Sequence, residues 1–148
     1  MAKAYYSVVL DHPADNVWSV IRPFDHYAWA GVESETVIED GGRGDQVGAV
    51  RRVIAGDKVL RQKLLAHSDR ERSYTYCFAD QPPFPVRDYV ATIRVAEIVA
   101  SNTAFVEWWA TFDCEIAERE TWVAHFEQRG FANWLGALRV FMAQGRRT

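Results

Sequence analysis

Two charged groups in this sequence stand where chemistry could use them. Glu107 interrupts an apolar and aromatic run over 103–114, and Arg51 sits in the alternating stretch 47–54. A carboxylate withdrawn from water has its pKa raised, which suits general acid or base work. An arginine in the same surroundings can pair with that carboxylate. It can equally bind a carboxylate or enolate oxygen of a ligand, or polarise a carbonyl. Tyr74 and Tyr76 alternate with Ser73, Thr75 and Cys77, so a strand here sends both phenols and Phe78 to one face. Their hydroxyls could orient a phenolic ligand. Plainer alternatives stand beside each reading: Arg51 and Glu107 satisfy one another or water, and the tyrosines are packing rings whose hydroxyls meet backbone or water.

Other reactive types form no set. His12 and His67 fall at a turn and a strand end, where solvation is expected, and His26 and His125 have no partner visible in the sequence. Cys77 and Cys114 lie far apart without a CxxC and read as small strand residues in a reducing cytoplasm. There is no Ser-His-Asp order, phosphate-binding loop, dinucleotide fingerprint or metal-ligand spacing, so neither cofactor nor metal is expected. Hydrophobic residues at 49% and charged residues at 25% exclude a disordered chain. A net charge of −3, with basic runs no longer than Arg51-Arg52 and Arg146-Arg147, carries no nucleic-acid footprint. Six Trp, six Tyr and eight Phe imply either a ring-rich core or a cavity lined with rings. The opening residues are too short and polar a run for a signal peptide or a membrane span, so no integral membrane insertion and a cytoplasmic location are expected.

The elements that must position these groups follow from periodicity. Alternating or β-branched runs predict strands over 4–10, 32–39, 47–54, 59–67, 73–78, 88–99 and 103–114. Val17, Trp18 and Ile21 predict a short helix over 16–21 that Pro23 ends; Phe24, Tyr27 and Trp29 predict a second over 24–30. Turns at 40–45, 55–57 and 100–102 join neighbouring strands, so the sheet should be mostly antiparallel. Over 119–144, Val123, Phe126, Gly130, Trp134, Ala137, Leu138 and Phe141 share one stripe of a helical wheel, widened by Phe131, Leu135 and Met142. Glu127 interrupts that stripe near Gly130, where the helix should bend or turn its first half toward a cavity mouth. One long helix wrapped by one large sheet, with two short helices capping an end, is an α+β arrangement, expected as a single domain over 1–148.

Taken in order, Pro13-Ala14-Asp15-Asn16-Val17-Trp18, Phe24-Asp25, Val47-Gly48-Ala49-Val50-Arg51, Tyr74-Thr75-Tyr76 and Val106-Glu107-Trp108 resemble the helix-grip superfamily of START and birch-pollen-allergen-like proteins. The likeness is greatest to its polyketide cyclase/dehydrase branch and covers nearly the whole chain. It implies a curved seven-stranded antiparallel sheet gripping the C-terminal helix around a deep apolar cavity. The family register implies inward faces of Arg51, Val53 and Ala55, of Leu60, Gln62 and Leu64, and of Tyr74, Tyr76 and Phe78. On the last two strands it implies Tyr89, Ala91 and Ile93, then Phe105, Glu107 and Trp109. Trp29, Phe126 and Trp134 complete the expected ligand-binding wall. For 103–114 the opposite set, Val106, Trp108, Ala110 and Phe112, is equally apolar, and a slip of one residue would exchange the faces.

The resemblance implies that the chain binds a small hydrophobic ligand, aromatic, polyketide-like or lipid-like. The alternative it implies is a cofactor-free polyketide aromatase/cyclase performing aldol closure and dehydration. In that case Arg51 would polarise a carbonyl, and Glu107 or a tyrosine would move the proton. Plant abscisic acid receptors are a more distant likeness. Their gate loop is replaced by Ala55-Gly56-Asp57, their latch loop by Pro82-Pro83-Phe84-Pro85, and their pocket lysine falls near Trp29, so hormone reception by their mechanism is not expected. The doubly apolar strand 103–114 also suggests a homodimer in which a second copy covers its outer face.

Overall fold

The computed structural model of the protein describes residues 1–31, 36–55 and 58–145. Residues 32–35 of the expected strand, 56–57 of the expected turn, and Arg146 and Arg147 lie outside the described residues. The chain runs β1 (Ala2–Leu10), α1 (Ala14–Ile21), β2 (Thr36–Ile38), β3 (Val50–Ala55), β4 (Lys58–Ser68), β5 (Ser73–Phe78), β6 (Arg87–Ile98) and β7 (Thr103–Asp113). It closes with α2 (Arg119–Ala124), a π-helical segment (His125–Phe131) and α3 (Ala132–Gly145). The strands form one antiparallel seven-stranded sheet in the order β1-β7-β6-β5-β4-β3-β2. Chain neighbours pair throughout except β1, which returns to the far edge beside β7. The C-terminal helix lies against the sheet's inner face.

α1 buries Ala14, Val17, Trp18 and Ile21, one stripe at helical spacing. Asp69, in the turn after β4, pins this helix: Trp18 Nε1 and Arg22 Nε each donate to it at 2.9 Å. The helix expected over 24–30 is reduced to a short 3-10 turn, Ala28–Ala30. The backbone groups of Phe24 explain the loss. Its N–H donates to the Gly44 carbonyl at 3.1 Å and its carbonyl accepts from Arg51 at 3.2 Å, so this backbone is tied to the 43–45 turn and to the Arg51 side chain.

The C-terminal helix has a different phase from an uninterrupted wheel. Its deepest side chains are Phe126, Phe131, Leu135, Leu138 and Met142, while Trp134 and Phe141 sit half-buried on the flank. The step from Phe126 to Phe131 is the five-residue repeat of a π turn, and the later steps return to the α repeat. Glu127 lies in that turn and faces β1, where its carboxylate accepts the N–H of Tyr5 at 3.0 Å. Further along, Arg139 donates to the Val9 carbonyl at 3.1 Å. Two helix side chains thus occupy the open edge of β1.

The expected inward face of β7 requires correction. Ala104, Val106, Trp108, Ala110 and Phe112 are buried against the helix, and Phe105, Glu107 and Trp109 lie on the outer face. The reason is charge: the outward set carries Glu107 and Asp113, whereas the inward set is wholly apolar. Register with β1 agrees, setting buried Ala4 and Ala2 opposite Ala110 and Phe112. The rings left outside pair locally. Tyr5 stacks on Trp109 at 6.5 Å, and Lys3 Nζ lies 5.8 Å over each ring.

Candidate ligand-binding interior

β3 and β4 bring Arg51 and Gln62 opposite each other on the inner face, and Arg51 Nε donates to Gln62 Oε1 at 2.7 Å. The guanidinium is 0% exposed. Rings surround it: its carbon lies 4.1 Å from the centre of Phe24, 4.3 Å from Tyr27, 5.0 Å from Tyr76 and 6.0 Å from Tyr74. Among the described residues it forms no ion pair with a carboxylate. Burial works against its charge, yet the phenol oxygens of Tyr74, Tyr27 and Tyr76 outweigh that effect and its pKa stays raised. Burial raises the pKa of the Tyr27 and Tyr76 phenols, so at neutral pH these two are themselves uncharged. They therefore solvate the cation as ring faces and dipoles, not as a counter-charge.

Buried donors are left over in this cage. Among the described residues, Arg51 Nη2, the Tyr74 hydroxyl and Trp108 Nε1 have no partner at good hydrogen-bond geometry, although the Tyr74 hydroxyl lies beside the guanidinium and the Trp108 indole beside the Tyr76 hydroxyl. The hydroxyl of Tyr76 neighbours those of Tyr89 and the Trp108 indole, and burial raises its pKa far above the ordinary phenol value. Tyr89 and Tyr27 are pushed up by the same cause. None of the three is a base at neutral pH.

The other expected wall residues are distributed as follows. Trp29 is buried between Tyr27 and Trp108, at 5.4 and 5.8 Å, with its Nε1 donating to the His26 carbonyl at 2.9 Å. Val53 is buried opposite half-buried Leu60, and Ile93 is buried between Tyr74 and Trp108. Phe78 and Phe126 each lie 5.1 Å from Tyr89, and Trp134 lies 5.1 Å from Trp108. The structure thus brings these residues together. Phe105, Glu107 and Trp109 are on the other side of the sheet, and Glu107 accepts from the Tyr5 hydroxyl at 3.0 Å. The sequence alternative of an Arg51–Glu107 pair is not formed.

Rings of the interior absent from the expected wall include Phe24, Tyr27, Trp108 and Phe84. Trp108 could have been found by preferring the uncharged face of β7. Phe24 and Tyr27 were visible only as helix residues, and their approach to Arg51 depends on a tertiary bond to Gly44. Phe84 stands on the proline-rich loop between β5 and β6, 5.4 Å from Phe126 and 5.7 Å from Trp122. With half-buried Phe78, Trp122 and His125 it forms a lip around one end of the interior. Desolvation, then the neighbouring Arg129, lowers the pKa of His125. A concavity of about 570 Å³ opens at the β5–β6 hairpin, lined by Leu65, Cys77, Phe78, Arg87, Tyr89 and Val90 among others, and so shares Phe78 and Tyr89 with the interior wall. It lies away from Arg51, and burial pushes the Cys77 thiol up, away from a reactive thiolate.

A curved antiparallel sheet closed by a long helix over a ring-lined interior is the helix-grip fold. The chain belongs to the polyketide cyclase/dehydrase and lipid transport family, whose model matches residues 1–144. The solved structure of XoxI from Bacillus cereus is 30% identical, with 94% of each chain covered and a TM-score of 0.81. A Thermobifida fusca protein is 27% identical, covering 94% of this chain and 91% of that one, with a TM-score of 0.84. The di-domain ARO/CYC BexL of the BE-7585A biosynthetic pathway is 18% identical, a likeness of fold alone, with a TM-score of 0.75 over 94% of this chain and 45% of that one. No curated protein matches the chain. Among the described residues no helix is long and apolar enough to cross a membrane.

Proposed function

We propose that the protein binds a small hydrophobic molecule, aromatic, polyketide-like or lipid-like, between the sheet and the C-terminal helix. One observation carries the reading. Ring contacts lead from Phe84 and Trp122 through Phe126 to Tyr89, whose hydroxyl neighbours that of Tyr76, and the Tyr76 ring in turn lies 5.0 Å from the guanidinium carbon of buried Arg51. Such a wall, apolar with few polar groups deep inside, is the usual form of a small-molecule site. The rings now fill one another's contacts, so a guest enters by displacing them. The lip is the wall's least anchored part: α2 buries no residue fully, and Pro82, Pro83 and Pro85 leave the Phe84 loop short of backbone donors.

A cyclase reading draws support from Arg51 as a carbonyl-polarising group beside Tyr74. It is the weaker of the two. Among the described residues, no carboxylate or imidazole touches the guanidinium, and the nearby phenols are poor bases at neutral pH.

Mass spectrometry of the purified protein, first native and then denaturing, tests the binding reading. A stoichiometric apolar passenger released on denaturation is the expected result. An empty protein that also fails to take up any small apolar molecule would overturn it.

A further inference from the structure

Among the described residues, no carboxylate pairs with the positive charge held in the interior. Arg51 is fully buried; among the described residues its guanidinium donates to one amide oxygen, of Gln62, and one backbone carbonyl, of Phe24, with the phenol oxygens of Tyr74 and Tyr27 close by. Ring faces moderate the charge but do not neutralise it. A buried cation without a counter-ion is a costly feature to build into a core. The unused polar atoms of the cage have one character. Arg51 Nη2 and Trp108 Nε1 can only donate, and the Tyr74 hydroxyl, which lies alongside the guanidinium, can donate as well. Both side chains are closed to bulk solvent, Arg51 at 0% and Tyr74 at 1% exposure.

What is missing is an acceptor carrying negative charge. We propose that the ligand of this interior is an organic anion that presents a carboxylate or enolate oxygen to Arg51 Nη2 and the Tyr74 hydroxyl, with its apolar body among the surrounding rings. The inference rests on the reading that the interior binds a small hydrophobic molecule, and adds its charge. Arg51 is the anchor, Tyr74 a second donor, and Gln62 a positioning residue that holds the guanidinium by Nε so that its far end stays free. Charge selection follows from the same feature. An uncharged guest of equal shape leaves the cation unbalanced, and a cationic guest adds a second positive charge.

The test uses the full chain with three probes of graded size, benzoate, 2-naphthoate and decanoate, each matched by its alcohol. Binding is followed by tryptophan fluorescence and calorimetry at pH 7.5, where the acids are ionised. The wild type should bind at least one acid more than tenfold tighter than the corresponding alcohol. Arg51→Met should abolish that preference while still taking the alcohol, and Arg51→Lys should retain part of it. Tyr74→Phe, which keeps the ring, should weaken the acid and leave the alcohol unchanged. Acid and alcohol binding equally well to the wild type would overturn the proposal and leave the interior-binding reading standing. A preference that survives in Arg51→Met would overturn it too, by moving the anion's partner elsewhere. Failure of all six probes would overturn both. If Arg51→Met does not fold, the Lys and Phe variants decide alone: unchanged preference in both refutes the assignment.

Discussion

The guanidinium carbon of Arg51 lies 4.1 Å from the centre of the Phe24 ring, and the same side chain donates to the Phe24 carbonyl at 3.2 Å. One residue therefore meets the cation through both its π face and its backbone dipole. Phe24→Leu keeps the carbonyl and removes the face. It should lower stability by about 2 kcal/mol, from lost packing and lost cation–π attraction together. Urea unfolding of this variant, of Arg51→Met and of the double variant measures their coupling. A coupling of about 1 kcal/mol is expected; strictly additive costs would show that the ring only packs.

Gly44 places Phe24. A Cβ there would stand 2.7 Å from Asp25 Oδ1 and 2.9 Å from the Phe24 nitrogen, and a backbone atom cannot swing aside. Gly44→Ala should cost about 1–3 kcal/mol and alter the near-ultraviolet circular dichroism of the ring cage. Gly136→Ala is the contrast. Nothing lies within 4 Å of its added Cβ on the exposed side of α3, so stability should rise by up to about 1 kcal/mol through helix propensity.

The two adjacent tryptophans of β7 should behave oppositely. Trp108 packs on Trp29, Phe131 and Trp134 in the core, so Trp108→Ala should cost about 4 kcal/mol. Trp109 rests on Tyr5 at the outer face, and Trp109→Ala should cost about 1 kcal/mol. Acrylamide should quench Trp109 and spare Trp108. Glu107→Gln should leave interior ligand binding unchanged; a loss of binding would restore Glu107 to the interior.

These differences mark what the sequence could and could not reveal. The strand Ser73–Phe78 was legible to the residue because three rings alternate with three small side chains. The antiparallel seven-stranded sheet and the grip of the C-terminal helix were legible too, through the family resemblance. The face of β7 was not read correctly, because rings stand on both sides and the two acids on one side were given less weight than the family register. The phase of the long helix was hidden by the π turn, whose extra residue no fixed-period wheel contains. Arg51 was visible as a candidate, whereas its cage was not. Phe24 and Tyr27 approach it through a loop held by Gly44, a contact that no local pattern encodes.

Acid should expose another tie. Asp69 accepts from Arg22 Nε and Nη2 and from Trp18 Nε1, each at 2.9 Å, and meets His67 Nε2 at 3.1 Å. The Arg22 bonds, more than those of Trp18 and His67, hold the carboxyl well below the usual carboxylate range despite desolvation. Its folded pKa therefore lies below its unfolded value of about 3.9. The stabilisation is complete above the unfolded value and is lost as pH falls through it toward the folded one. Asp69→Asn cannot ionise. It should be about 1 kcal/mol less stable than the wild type at pH 7, a figure kept small because the carboxylate is 57% exposed. That gap should close below about pH 4. Parallel melting curves from pH 7 to pH 2 would refute the assignment.

The side chains that occupy the open edge of β1, Glu127 and Arg139, lie 122 and 130 residues beyond the backbone groups they meet. During synthesis the first strand emerges long before its seal exists. Until the helix is complete and docked, the N–H of Tyr5 and the carbonyl of Val9 can accept a strand from another molecule. The grip therefore works in both directions. The sheet holds the helix, and the helix keeps unfinished or truncated copies from joining edge to edge once it arrives.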